Sequence, residues 1–218
     1  MPPLPPLPPH RVIQDFLSPA DHARLLAWTL AARDRFQPAR LIGGTVDPER
    51  RIASNLREVG PLRPIFEAAV AARLADIFAA AGTRPFTPGP LELELAAHGD
   101  GAHFAPHLDL AYGPSRGLAR DERAGVKGRL VSAVYYFHAE PTGFTGGALR
   151  LHRFGSKASG EPGSYVDIAP EQNALLVFPA IALHEVRRVA VPSGRFEDSR
   201  FAVNIWLAPT DSGADAAS

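Results

Sequence analysis

The chain is predicted to be a mainly β, α+β protein, a β sandwich or barrel with helices at its N-terminal side packed on one sheet. Three observations predict it. Apolar residues recur at helical spacing only up to about residue 82. From about residue 88 the pattern becomes short apolar runs broken by Gly, Pro and Asp clusters. No helix-length spacer separates those runs, which an alternating β/α fold would need. With 218 residues, 45% of them hydrophobic, the chain can bury a sizeable core.

Taken in order, residues 1–12 open with MPPLPPLPP, which favours extended polyproline II and is expected to be a flexible tail. Residues 13–210 are expected to form one domain, with helical support over about 18–82 and a β core over about 88–208, and 211–218 a second flexible tail. Ser18-Pro19-Ala20-Asp21 combines a hydroxyl cap, a proline in the first turn and an acidic residue at the positive end of the helix dipole. That helix is expected to reach about residue 33, with Leu25, Leu26 and Leu30 on one face. A second begins near Leu62, carries Phe66, Val70, Leu74, Ile77 and Phe78 on one stripe, and stops at Gly82. The mixed stretch 41–58 reads as a short strand or a long loop. Strands are expected at 91–97, 102–108, 129–138, 148–151, 164–168, 174–178, 184–189 and 200–207. The polar insert 111–128 fits a lid or an ordinary loop.

Composition excludes several function classes. There is no Cys, so zinc fingers, iron–sulfur clusters and disulfide scaffolds are impossible, and any metal chemistry must use imidazole and carboxylate. Lys plus Arg and Asp plus Glu both number 23, and no basic run favours a nucleic-acid partner. No apolar stretch approaches the ~18 residues of a membrane helix and no signal peptide opens the chain, so a cytoplasmic protein without a membrane partner is expected, as monomer or homodimer.

Eight histidines remain as candidates. His107 and Asp109 are two apart, so on a strand they share a face and converge on one point. His184 follows the buried run Leu175-Leu176-Val177-Phe178-Pro179. Arg200 opens a strand whose Phe201, Val203, Ile205 and Leu207 form an apolar face for the helices. Its Arg200, Ala202, Asn204 and Trp206 then face inward, where a guanidinium needs an anionic partner. Two His and one carboxylate with open positions suit a non-haem Fe(II) site.

These residues, with "IQDFLSPADHARLL", "YYFHAEPTGFTGGALRLH", "LLVFPAIALHEVRRV" and "SRFAVNIWL", resemble the Fe(II)/2-oxoglutarate-dependent dioxygenases, in particular their prolyl-4-hydroxylase-like branch. The resemblance implies a double-stranded β-helix (jelly-roll) core. It implies that His107, Asp109 and His184 hold Fe(II), that Arg200 binds the C5 carboxylate of 2-oxoglutarate, and that Tyr136 assists while Tyr135 faces the other way. His138, Asn204, Trp206 and Leu149 are candidate pocket-lining residues. The implied cofactors are Fe(II), 2-oxoglutarate and O2, with ascorbate as a supporting reductant. The implied reaction hydroxylates an unactivated C–H of a prolyl or other amino-acid side chain in a peptide or protein, with 2-oxoglutarate decarboxylated to succinate and CO2. The alternatives are a free amino acid or small natural product as substrate, or a non-catalytic jelly-roll module that binds a metal or ligand. Arg200 stands sixteen positions after His184, a longer gap than the family's, with an insertion at 192–197. Arg195 is therefore a rival, although Arg200 keeps the family's step to Trp206. Ala97 stands where the family often has an aromatic, a difference expected to alter the pocket lining. Of the other histidines, His103 reads as a surface or supporting residue, His152 as a residue at the site mouth, and His10 and His22 as exposed. Arg187 and Arg188 read as solvated, and Gly146-Gly147 as a tight turn.

Overall fold

The computed structural model describes residues 4–41, 44–110, 128–155, 161 and 163–210. Among these, three helices and fourteen strands follow in the order β1 (Arg11–Ile13), α1 (Pro19–Ala31), β2 (Gln37–Pro38), β3 (Arg51–Ile52), β4 (Ser54–Leu56), α2 (Arg63–Ala72), α3 (Leu74–Ala81), β5 (Glu92–His98) and β6 (His103–His107). Then come β7 (Val131–Phe137), β8 (Thr145–Gly146), β9 (Leu149–His152), β10 (Tyr165–Ile168), β11 (Ala174–Pro179), β12 (His184–Val186), β13 (Val189–Ala190) and β14 (Arg200–Leu207). A seven-stranded sheet runs β1-β11-β7-β14-β5-β4-β2 and a five-stranded one β10-β9-β12-β6-β3, both with antiparallel neighbours. Stacked face to face they make a jelly roll, with the helices on the outer face of the larger sheet.

Strand alternation builds two cores. Tyr135 and Phe137 of β7, Leu93 and Leu95 of β5, and Phe201, Val203, Ile205 and Leu207 of β14 pack against Leu25, Phe66, Val70, Ile77 and Phe78 of the helices. The opposite parity places Val134, Tyr136, Leu176, Phe178 and Ala202 between the sheets, against Leu149 and Leu151 of β9.

The Ser18 hydroxyl caps α1 by accepting from the Asp21 backbone N–H at 3.1 Å. This helix ends at Ala31, before the expected limit, and a short 3-10 turn over Arg33–Arg35 follows. The second predicted helix is two, broken at Arg73, after which Ile77, Phe78, Ala80 and Ala81 of α3 are all buried. Gly82 ends α3 with a positive φ of 62°, as its position predicts. The predicted strand over 184–189 is split into β12 and β13. The stretch 41–58 carries β3 and β4. The expected lid at 111–128, apart from Gly128, and the tail at 211–218 lie outside the described residues.

The N-terminal segment departs from the expected free tail. Residues 11–13 form β1 on the edge of the larger sheet, with Ile13 opposite Leu175. Before it, the Pro6 carbonyl accepts from the Phe154 backbone N–H at 3.1 Å and the Pro5 carbonyl from the Arg153 guanidinium at 2.7 Å. Proline lacks a donor yet keeps its acceptor, so a proline-rich segment can dock through its carbonyls alone.

His22, expected to be exposed, ties α1 to the sheet. Its Nδ1 lies 2.6 Å from the Tyr135 hydroxyl, which donates to Asn173 Oδ1 at 2.8 Å, while Asn173 Nδ2 donates to the Leu17 carbonyl at 2.9 Å. Burial pushes the Tyr135 phenol well above its ordinary pKa and lowers that of His22, so both stay neutral partners. Phe66, fully buried, meets the same Tyr135 ring edge-on at 5.6 Å. Phe66→Ala should therefore destabilise the fold by about 3–5 kcal/mol in urea unfolding, the range for an aromatic deleted from a packed core.

Candidate metal centre

The cross-strand register of β6 and β12 sets His184 directly opposite His107. The His107 Nδ1–H donates to the Ala105 carbonyl at 2.8 Å and the His184 Nδ1–H to the Ala182 carbonyl at 2.9 Å. Each ring thereby presents its Nε2 lone pair to the cleft, the orientation a metal-binding imidazole needs. Asp109 lies just past the end of β6, not on the strand itself. Its backbone N–H reaches the Ala180 carbonyl at 3.3 Å, and the Arg129 guanidinium donates to the Asp109 carbonyl at 3.3 Å. Its carboxylate lies 3.9 Å from His107 Nε2 and 3.7 Å from His184 Nε2. One ligand atom from each of the three residues falls within 4.8 Å of the others, a set able to hold one metal ion.

Burial and the neighbouring His184 push His107 down to about 3, so its lone pair is free at neutral pH. Burial works against ionisation of Asp109, but His184, His107 and hydrogen bonds from Ser132 and Trp206 outweigh it and hold the carboxyl below its ordinary value. The Ser132 hydroxyl donates to Asp109 Oδ2 at 2.6 Å. A neutral His107 and an ionised Asp109 are in the protonation states in which such groups bind a divalent cation.

Arg200 looks into the cleft from β14 of the larger sheet, across from the smaller sheet that carries His107 and His184. It is 1% exposed, and no carboxylate pairs with it among the described residues. Its guanidinium stands over the Tyr136 ring at 4.7 Å, and Nη1 lies 3.2 Å from His98 Nδ1. The Arg200 Nε and the Tyr136 hydroxyl are buried without a hydrogen-bond partner. A desolvated cation beside two unpaired polar atoms is a costly arrangement that a carboxylate would satisfy, since it accepts from both. The described residues therefore fit both Fe(II) and the far carboxylate of 2-oxoglutarate. Gly147, with φ at +70°, makes room for this: a Cβ there would lie 2.6 Å from Arg200 Cδ.

The rival Arg195 lies on the surface, 62% exposed and paired with Asp198 at 2.9 Å. Leu149 packs between the sheets beside Tyr136. Asn204 and Trp206 face the cleft, Asn204 donating to Glu94 at 3.4 Å and Trp206 lying under the Arg129 guanidinium at 4.0 Å. His138 does not join the site. β7 ends at Phe137, and the His138 ring packs edge-on against Phe144, near enough to His22 to affect its titration. His152 is on the outer face of β9, opposite Tyr165 and 3.5 Å from Glu185, and so does not line the mouth. His103 contacts the Gly101 and Glu49 carbonyls and His10 the Pro8 carbonyl, away from the cluster. Arg187 is exposed, while Arg188 donates to the Gly101 carbonyl.

His98 is the neighbour that sequence reasoning passed over. It is 4% exposed and directly opposite Arg200 in the β5–β14 register. Burial and the Arg200 charge hold its pKa well below the ordinary value, so it is a neutral acceptor for the guanidinium. The signal was there in parity: Leu93, Leu95 and Ala97 belong to the helix-facing core, which leaves Glu92, Glu94 and His98 inward.

The comparisons agree with this geometry. Residues 93–208 match the model of the 2OG-Fe(II) oxygenase superfamily, and the chain belongs to that family. It is 26% identical over 198 residues to an uncharacterised PKHD-type hydroxylase from Synechocystis, covering 89% of this chain and 61% of that protein's length. A Trichoplax adhaerens prolyl hydroxylase solved with a hypoxia-inducible-factor peptide superposes with a TM-score of 0.65 at 19% identity, covering 92% of this chain and 83% of that one. A Pseudomonas putida prolyl-4-hydroxylase gives 0.60 at 24% identity, covering 92% and 93%. These structures share the jelly-roll fold.

Two buried neutral imidazoles make stability depend on pH in the metal-free protein. His98 and His107 take up a proton in the unfolded chain below about pH 6.5 but not in the folded one. Stability is therefore complete above that pH and falls as the solution is acidified, by up to ~1.4 kcal/mol per pH unit for each group. Urea unfolding between pH 7 and 5 should show this slope, and His98→Gln should reduce it.

Proposed function

We propose that this chain is an Fe(II)- and 2-oxoglutarate-dependent hydroxylase acting on a prolyl or other amino-acid side chain in a peptide or protein. One observation carries the reading: a fully buried Arg200, with no carboxylate partner among the described residues, faces from the larger sheet the cleft that His107 and His184 of the His107–Asp109–His184 cluster enter from the smaller one. A metal-binding module needs the cluster but has no use for a desolvated cation. An enzyme whose cosubstrate carries two carboxylates needs both. The prolyl hydroxylases among the similar structures support an amino-acid side chain as the oxidised group.

When bound, Fe(II), 2-oxoglutarate and O2 supply the oxidising chemistry, and the protein supplies position and shelter. His107 and His184 would hold the metal through Nε2 and Asp109 through its carboxylate. The Ala105 and Ala182 carbonyls keep the imidazoles in the correct tautomer. Ser132 and Trp206 keep Asp109 ionised and aimed. Arg200 would take the C5 carboxylate, with the Tyr136 hydroxyl as second donor and His98 fixing the guanidinium plane. The apolar surroundings, Val134, Leu149, Leu176 and Ala202, exclude water from the bound cosubstrate.

Anaerobic addition of Fe(II) and 2-oxoglutarate should produce a weak visible charge-transfer band, absent in His107→Ala and His184→Ala. A wild-type protein that binds no iron and shows no band contradicts the proposal. Arg200→Ala and Gly147→Ala should each raise the 2-oxoglutarate concentration for half-maximal band intensity at least about tenfold, through loss of a charged hydrogen bond or displacement of the side chain that makes it. Arg195→Ala should leave it unchanged.

A further inference from the structure

Asp109 is the one proposed iron ligand that lies outside a strand. His107 ends β6 and His184 opens β12, and each imidazole is fixed by a carbonyl two residues before it. Asp109 follows β6, and beyond one backbone bond to Ala180 its aim depends on side chains brought from other strands. One of them, Arg129, stands just before β7. The proposed function gives it no role, yet its side chain is only 11% exposed.

The Arg129 guanidinium is engaged on every side. Nη1 donates to the Asp109 backbone carbonyl at 3.3 Å. Nε donates to Glu92 Oε1 at 3.1 Å and Nη2 to Glu92 Oε2, a two-point hold on one carboxylate. Its face lies over the Trp206 ring, 4.0 Å from the ring centre. Trp206 stands between Glu92 of β5 and Ser132 of β7 in the register, and Trp206 and Ser132 both hydrogen-bond to the Asp109 carboxylate. Arg129 therefore meets Asp109 twice, directly at its main chain and through the indole at its carboxylate.

We infer that Arg129 is a positioning residue for the metal site: it fixes the Asp109 backbone and the Trp206 indole so that the carboxylate points at His107 and His184. The inference rests on the proposed iron site and extends it to a residue outside the three ligands. A cation beside a metal centre carries an electrostatic cost, because like charges repel. The carboxylate of Glu92 offsets that cost and at the same time anchors the guanidinium. Charge and position thus make opposite demands on the outcome of removing Arg129. An effect of charge alone would tighten metal binding, whereas loss of the hold on Asp109 weakens it although a repelling group has gone. Lysine cannot take over, because an ammonium lacks the planar fork that grips Glu92 at two atoms while donating to Asp109.

The test titrates the full chain with Co(II) under anaerobic conditions, read by visible d–d absorption, so that no turnover is needed. Wild type should bind the ion, and His107→Ala should abolish the absorption. Arg129→Gln and Arg129→Lys should each raise the dissociation constant about 10–100-fold, the usual result of removing a group that orients a metal ligand. A second readout is the indole N–H proton resonance of Trp206 in the metal-free protein, distinguished from that of Trp28 by its loss in Trp206→Phe. It should shift in Arg129→Gln. An unchanged or lower dissociation constant in Arg129→Gln, or an indole resonance that does not move, overturns the inference. Should Arg129→Gln fail to fold, Arg129→Lys keeps a cation for Glu92 and decides by the same two measurements. Wild type that takes up no Co(II) overturns the iron-site reading instead, and the indole resonance still reports whether Arg129 holds Trp206.

Discussion

Along β14, Phe201, Val203, Ile205 and Leu207 lie against the helices while Arg200, Ala202, Asn204 and Trp206 look into the cleft. Because strand side chains alternate with period two, a slip of one residue would drive the guanidinium into the helix-facing core and turn four large apolar groups toward the metal site. The same register sets Arg200 against His98, Asn204 against Glu94 and Trp206 against both Glu92 and Ser132. The placement of Arg200, cleft polarity and the orientation of Asp109 through Ser132 and Trp206 thus follow from one pairing choice. The apolar face enforces its parity, since only that parity buries Phe201, Val203, Ile205 and Leu207 against the helices.

Residues whose placement follows from local pattern were legible in the sequence. His184 after a buried strand and Arg200 at the head of an alternating strand stand where that pattern leads, while Asp109 comes within reach of His107 from just beyond the end of β6 and not by strand parity. The helix boundaries at Ser18 and Gly82 were legible for the same reason, because capping is local chemistry. His138 shows where parity fails. It extends the Tyr136 alternation by one step, but the strand has already ended, and the ring turns to Phe144.

What was hidden depends on contacts between distant segments. Arg51 belongs to a stretch with no clear period, and only the pairing of β3 with β6 carries it beside Phe104 and across to Glu94. Asn55 is placed by β4, a three-residue strand too short to declare itself. His22 sits among polar helix positions, and its partial burial is visible only once Tyr135 of β7 and Asn173, just before the neighbouring β11, come together. The docked prolines near residues 153–154 are another such case, since composition describes a free peptide and says nothing of a surface rich in donors.

The order of strands in the larger sheet carries a consequence for biosynthesis. β14, the last strand of the described chain, lies at the centre of that sheet, between β7 and β5, while β1, the first, waits at the edge for β11. A chain emerging N-terminus first can form its helices early, but the surface that they cover has a gap until residues 200–207 arrive. Up to that moment β5 and β7 expose the edges that β14 will join, so the nascent protein depends on long-range pairing late in its synthesis. A chain stopped short of β14 would lose the middle strand of its larger sheet, four side chains of its core and its buried cation together.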